Sequence, residues 1–367
     1  MRRRASGVMA FACALIALLA ASTAFAANAP KEFFGVVPQT PLAQEDIDRM
    51  GQGNVGTLRF QIFWAGQNPS PGVYDWGPVD QIVGDAARNG IRPLPFIYST
   101  PEWVARLDGR NCDGAGCFGF APQGPAALDA WQSFLGAAAE RYGPHGTFWT
   151  LNPTVPKKPI RAWQIWNEQN SDTFYKPKPK VGAYADLVEA SDRALAAVDP
   201  GADVVLGGMF LSPGGGEKPS LFAHDYLAKL YDVKGAKKRF DGVAAHPYAS
   251  SLSKVELQVE LLREAMKKAG DRKASMWVTE VGWASGGPSH PLNKGKAGQA
   301  RQLEGLYKLF LKKRRAWNVE TVTWYSWRDN PDRNQGLCVW CPFSGLMTKD
   351  LQPKRSWRQF VKFTGGS

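Results

Sequence analysis

The chain has 367 residues, 44% hydrophobic and 21% charged, with no low-complexity bias, which excludes a disordered or fibrous protein and leaves length enough for one large core or two modest ones. Forty-five Lys and Arg against 33 Asp and Glu give a net charge of +12, a moderate and diffuse excess. Fourteen Trp and 19 Phe point instead toward flat, apolar ligand surfaces.

Residues 1–26 read as an export signal. Arg2, Arg3 and Arg4 precede an apolar run over 8–21, and Ala24-Phe25-Ala26 supplies a small-x-small cleavage site, so the mature chain is expected to begin at Ala27 and to form one domain over 27–367. The apolar run is shorter than the roughly 20 residues of a membrane span, and Cys13 lies inside it in a poor context for lipidation. Removing three arginines and no acid takes the charge from +12 to +9. The expected location is secreted or periplasmic, without stable membrane insertion.

Beyond the signal, runs of strand character alternate with amphipathic helical stretches, the pattern of parallel β/α units. Strands are expected over 33–37, 55–64, 92–98, 160–166, 203–208, 240–245, 276–281 and 321–327. Helices are expected over 79–87, 126–142, 184–198, 255–268, 299–311 and 356–363, where apolar residues return three and four positions apart. Eight strands with crossovers predict a single (β/α)8 TIM barrel with long loops. An open doubly wound sheet is disfavoured, because Gly35-Val36-Val37-Pro38 stands where a Gly-rich dinucleotide turn would follow the first strand. Pro- and Lys-rich segments at 156–159 and 176–180, and a Gly-rich one at 213–218, read as loop insertions.

The four cysteines after the signal fall in two local pairs, Cys112/Cys117 and Cys338/Cys341. An oxidising compartment favours a disulfide within each pair; the rivals are a redox Cys-Val-Trp-Cys motif and a four-thiolate zinc site, both of which need reduced thiols. No metal or other cofactor is expected.

In a barrel, chemistry gathers at the C-terminal ends of the strands. Here those ends carry Trp166-Asn167-Glu168, His246-Pro247-Tyr248, Thr279-Glu280-Val281-Gly282-Trp283 and Trp324-Tyr325-Ser326-Trp327. Glu168 and Glu280 each end an apolar strand, on strands four and seven, which face one another across a barrel mouth. Two carboxylates so placed suit cleavage of a glycosidic bond, one donating a proton to the leaving oxygen while the other meets the oxocarbenium-like carbon.

These segments resemble the acid/base and nucleophile segments of the retaining glycoside hydrolases of clan A, barrel enzymes with catalytic glutamates on strands four and seven. Arg59 matches the clan's strand-two arginine, Asn167 the asparagine before the acid/base, and His246-Pro247-Tyr248 the strand-six segment of the family 39-like branch, which Tyr74-Asp75-Trp76 and the stretch from Gly345-Leu346 to Trp357 also resemble. The resemblance implies a double-displacement glycosidase acting on a polysaccharide or oligosaccharide, with Glu168 as acid/base and Glu280 as nucleophile. Arg59 and Tyr248 would keep Glu280 ionised, Asn167 would donate to the sugar 2-hydroxyl, and His246 would join their network.

Trp64, Trp103, Trp283, Trp324 and Trp327 are candidate platforms for sugar faces, with Trp324 foremost. The run Lys312-Lys313-Arg314-Arg315 ends a helix, where cations complement the dipole and face water. No nucleic-acid-binding module is visible, so nucleic acid is not an expected partner. The rival reading from another class is a catalytically silent carbohydrate-binding barrel, or one that serves exopolysaccharide assembly.

Overall fold

The computed structural model describes residues 29–210, 221–332 and 338–367. The expected export signal, Cys13 and the Gly-rich 213–218 segment lie outside the described residues.

Eight parallel strands form the sheet: β1 (Phe34–Val37), β2 (Thr57–Phe63), β3 (Arg92–Tyr98), β4 (Ala162–Ile165), β5 (Asp203–Leu206), β6 (Gly242–His246), β7 (Ser275–Val281) and β8 (Val319–Tyr325). Each pairs with the next in sequence, β1 pairs with β8 at Val36 and Trp324, and β5 pairs with β6 at Val205 and Gly242, so the sheet closes on itself. A two-residue piece, Met209–Phe210, continues the fifth strand beyond Gly207 and Gly208 and pairs with Ala245 and His246. This is the (β/α)8 barrel expected from the strand count.

The surrounding helices are α1 (Gln44–Gln52), α2 (Gly77–Arg88), α3 (Pro125–Tyr142), α4 (Val181–Val198), α5 (Ala223–Asp232), α6 (Leu252–Lys268), α7 (Gly295–Trp317) and α8 (Arg355–Thr364). The six helices anticipated from periodicity are present. The sequence reading missed α1 and α5. In α1 the apolar signal is only Ile47 and Met50, whose burial against the core is a tertiary effect. No helix among the described residues is long and apolar enough to cross a membrane.

Strand alternation sorts the barrel interior into layers. Leu94, Ala162, Val205, Ala244 and Trp277 form an apolar cluster of their own. Two residues further along the same strands, on the same face, stand Phe96, Gln164, His246 and Thr279, so the interior turns polar toward the C-terminal ends. This polar layer floors the site.

Both cysteine pairs are disulfides, Cys112–Cys117 and Cys338–Cys341. Lys313, in the basic run of α7, reaches Glu256 at 2.8 Å and Glu260 at 3.2 Å on α6, so that residue ties two helices together.

Candidate active site

Each site residue owes its direction to a local feature of its strand. Arg59 lies on the inward face of β2, fully buried, with its guanidinium 3.9 Å above the Phe96 ring. Each of its three nitrogens donates: Nε to Gln164 Oε1 at 2.7 Å, Nη1 to Glu280 Oε1 at 2.5 Å and Nη2 to Asn167 Oδ1 at 2.8 Å. Because a guanidinium only donates, this contact fixes the Asn167 amide with its oxygen on Arg59 and leaves its N–H groups for the cavity that Asn167 lines.

After β4 the backbone turns sharply. Trp166 and Glu168 both adopt positive φ, +71° and +45°, held by hydrogen bonds from Trp166 N to Ile97 O and from Glu168 N to Gly208 O, each 3.0 Å. Such left-handed residues cost on the order of 1–3 kcal/mol each and persist where the surroundings over-determine them. Gly208 is needed there for a second reason, since a Cβ on it would stand 1.9 Å from His246 Nε2.

Glu280 would face away from the interior if β7 alternated regularly after Thr279. A bulge prevents this: three steps of β7, Val278 to Val281, oppose two of β8, Val322 to Trp324. The extra residue lets Thr279 and Glu280 both serve the mouth.

The polar layer is a continuous chain of hydrogen bonds. Gln164 accepts from Arg59, so its Nε2 donates, to Leu206 O and to Thr279 Oγ1, both at 3.2 Å. His246 continues the chain to the acid carboxyl, with Nε2 3.0 Å from the Thr279 hydroxyl and Nδ1 2.7 Å from Glu168 Oε1. On the other side Tyr248 donates its phenol O–H to Glu280 Oε2 at 2.7 Å. Arg59, Asn167, His246 and Tyr248, all selected from the sequence, thus meet at the two carboxylates.

The carboxylates are close but unequally placed. Single ligand atoms of Glu168, Glu280 and His246 all lie within 4.8 Å of one another. Burial pushes the Glu168 carboxyl above its ordinary range, and the Glu280 charge adds to this, outweighing His246 and Arg59. Burial acts on Glu280 in the same sense but is overcome by the pull of His246 and Arg59 and by hydrogen bonds from Tyr248 and Arg59, so Glu280 lies below the ordinary range. The same three residues could offer ligand atoms to a cation, but Arg59 already occupies Glu280 and repels positive charge there.

A cavity of about 740 Å³ opens over this pair, lined by Arg59, Asn167, Glu168 and Glu280 together with Gln39, Phe63, Phe96, Tyr98, Phe174 and Tyr325. Burial and the nearby Glu168 hold the Tyr98 phenol above its usual range.

The tryptophan platforms require correction. Trp64, Trp283, Trp324 and Trp327 are fully buried and none lines the cavity. Trp324 shares the outward parity of Val322 on β8, packs on Trp283 at 6.0 Å and donates to Ser344 O. Trp283 donates to Ala249 O, and Trp327 donates to Asp46 Oδ1 at 2.8 Å while packing edge-on against Trp357 of α8. Trp103 is half-buried, tied to Asn68 O, and also off the cavity. The β8 aromatic at the mouth is Tyr325, on the inward parity of Thr321 and Thr323. That parity was the signal available in Trp324-Tyr325-Ser326-Trp327; Gln164 and Thr279 were missed for the same reason.

No family model matches the chain, and no curated protein is detectably similar to it by sequence. Solved structures do resemble it. A family 39 glycoside hydrolase from the gut symbiont Bacteroides cellulosilyticus WH2 superposes with a TM-score of 0.65 at 20% identity, over 92% of this chain and 64% of that one. A β-galactosidase from the psychrophilic Marinomonas ef1 gives 0.59 at 13%, over 90% and 59%, and xylanase 10B from Thermotoga maritima gives 0.61 at 14%, over 93% and 98%. The chain therefore spans about three fifths of the first two. At these identities the likeness speaks to the fold, an eight-stranded parallel barrel common to clan A glycoside hydrolases.

Proposed function

We propose that the protein is an exported retaining glycosidase that hydrolyses β-linked O-glycosidic bonds in a polysaccharide or oligosaccharide. The observation that carries this reading is the Glu168–Glu280 pair at the barrel mouth, with an oxygen of each within 4.8 Å and environments that favour a protonated Glu168 beside an ionised Glu280. A nearest approach this short supports direct attack by a carboxylate, for which carboxyl separations of about 5–5.5 Å are usual, over the wider spacing of about 6.5 Å or more that inverting pairs use to hold a water.

In this mechanism Glu280 attacks the anomeric carbon as Glu168 gives its proton to the departing oxygen. Glu168, now a carboxylate, takes a proton from water, which cleaves the glycosyl ester and returns Glu280. Asn167, its oxygen locked on Arg59, offers N–H groups to the sugar hydroxyl beside the anomeric carbon, a contact that strengthens in the transition state. His246 Nδ1 beside Glu168 helps the carboxyl accept charge between the steps. Tyr325 and the aromatic wall of Phe63, Phe96 and Phe174 give apolar faces to the ring. The β configuration is supported by similarity to the Marinomonas β-galactosidase. Export is supported by two disulfides, which persist in oxidising compartments, and by the signal pattern in 1–26.

Reducing-sugar release from a panel of bacterial and plant polysaccharides and aryl glycosides, with Glu280→Ala as the blank, tests the reading. Release by the native protein above that blank supports it. Binding of a glycan without any release favours the silent barrel instead.

A further inference from the structure

Tyr248 reaches Glu280 through the far end of a rigid ring, so the aim of its O–H depends on what holds that ring. Among its aromatic contacts, Phe210 and His246 lie at 6.3 Å and Tyr325 at 6.1 Å, while Trp340 is nearest at 5.1 Å, edge-on. Trp340 also meets Tyr325 at 6.1 Å, and His290 stacks on it at 6.5 Å. The indole is 7% exposed although it belongs to no strand or helix of the barrel.

It comes from the loop Cys338-Val339-Trp340-Cys341, closed by the second disulfide. That loop is tied to the barrel at its base. Gln39 Nε2 and Ser344 Oγ donate to Cys341 O at 2.9 and 2.7 Å, and Phe343 N donates to Trp340 O at 3.1 Å. Gln39 itself follows β1 and also donates to Ser326 Oγ beyond β8.

We infer that Trp340 is a positioning residue for Glu280: the disulfide-closed loop holds the indole edge against Tyr248 and so keeps the phenol aimed at the carboxylate. The effect on turnover rests on the proposed glycosidase reading; the positioning itself does not. Glu280 is faced by Arg59 from β2, by Glu168 after β4, by His246 and Tyr248 from the end of β6, and Tyr325 stands beside Tyr248. Arg59 is locked by three contacts of its own, which leaves Tyr248 as the donor whose aim the loop can alter. Losing a hydrogen bond to an anion raises the pH at which it titrates, here by about one unit.

The test uses full-length protein labelled with ¹³C at glutamate Cδ, the Glu280 resonance being assigned by its loss in Glu280→Gln. Its titration is followed in the native protein, Trp340→Ala, Trp340→Phe and the double variant Cys338→Ser/Cys341→Ser. The expected result is a midpoint about one unit higher in Trp340→Ala and in the double variant, and a native midpoint in Trp340→Phe, which keeps a ring edge on Tyr248. In parallel, kcat/KM on an activated aryl glycoside should fall about tenfold in Trp340→Ala, with its acidic limb displaced upward. A native midpoint in Trp340→Ala overturns the proposal, and should that variant not fold, a native midpoint in the double variant does so. A raised midpoint in a protein whose native form turns over no glycoside upholds the role of Trp340 and overturns the glycosidase reading.

Discussion

Glu168 and Glu280 bring one oxygen each to within 4.8 Å, yet their surroundings drive their protonation apart. Burial raises both; what differs is the partners. Glu280 receives Arg59 and Tyr248 directly, at 2.5 and 2.7 Å, whereas the close contact of Glu168 is the His246 ring. The fold creates this asymmetry with two backbone devices, the bulge that aims Glu280 inward and the left-handed turn that carries Glu168.

The pH profile follows from that asymmetry. Turnover needs Glu280 ionised and Glu168 protonated, so kcat/KM should hold from below the ordinary carboxylate range to above it. Arg59→Met removes a positive charge and a hydrogen bond from Glu280, so less acid is needed to protonate it and the acidic limb moves up in pH; the smaller pull on Glu168 is lost too, so the basic limb moves up by less. A downward move of that limb in Arg59→Met contradicts the assignment.

The β8 aromatics separate core from site. Trp327→Ala empties a fully buried position and strips Asp46 of its indole donor, at a cost of about 3–5 kcal/mol in chemical denaturation. Tyr325→Ala, at the cavity wall, should instead raise KM or lower kcat by tenfold or more while costing less stability. If Trp327→Ala stays stable and loses only substrate affinity, the burial argument is wrong.

How much of this was legible in the sequence depends on what kind of interaction decides each residue. The strand at 92–98 coincides with β3, and the others differ by one or two residues at their ends, because strands buried on both faces read as continuous apolar runs. Glu168 and Glu280 stood out because strand ends rarely spend carboxylates without cause, and Arg59, Asn167, His246 and Tyr248 through the resemblance of their segments to those of clan A. The tryptophans misled, since composition reports that a large ring is present but not which face of a strand it takes. Parity along β8, once anchored on Thr321 and Thr323, selects Tyr325, and anchoring it needs the register of the closed sheet. Trp340 was out of reach for another reason: its contact with Tyr248 joins segments far apart in the chain.

The disulfides make a separate prediction. Thiol titration of the denatured, unreduced protein should find Cys112, Cys117, Cys338 and Cys341 all unreactive. Replacing Cys112 and Cys117 by serine opens a short loop and should lower unfolding free energy by about 2 kcal/mol. Four reactive thiols with bound zinc would reverse the assignment.

The configuration of the azide product formed by each glutamate variant tests the two roles most directly. On an activated aryl β-glycoside, Glu168→Ala can still form the glycosyl ester, because the leaving group departs without a proton, but lacks the base to free it. Added azide should attack that ester and give the β-glycosyl azide, with configuration retained. Glu280→Ala forms no ester, and azide seated in the vacated carboxylate site should give the α-azide, inverted. The account predicts this pairing by NMR of the products; an inverted azide from Glu168→Ala together with a retained one from Glu280→Ala would contradict it.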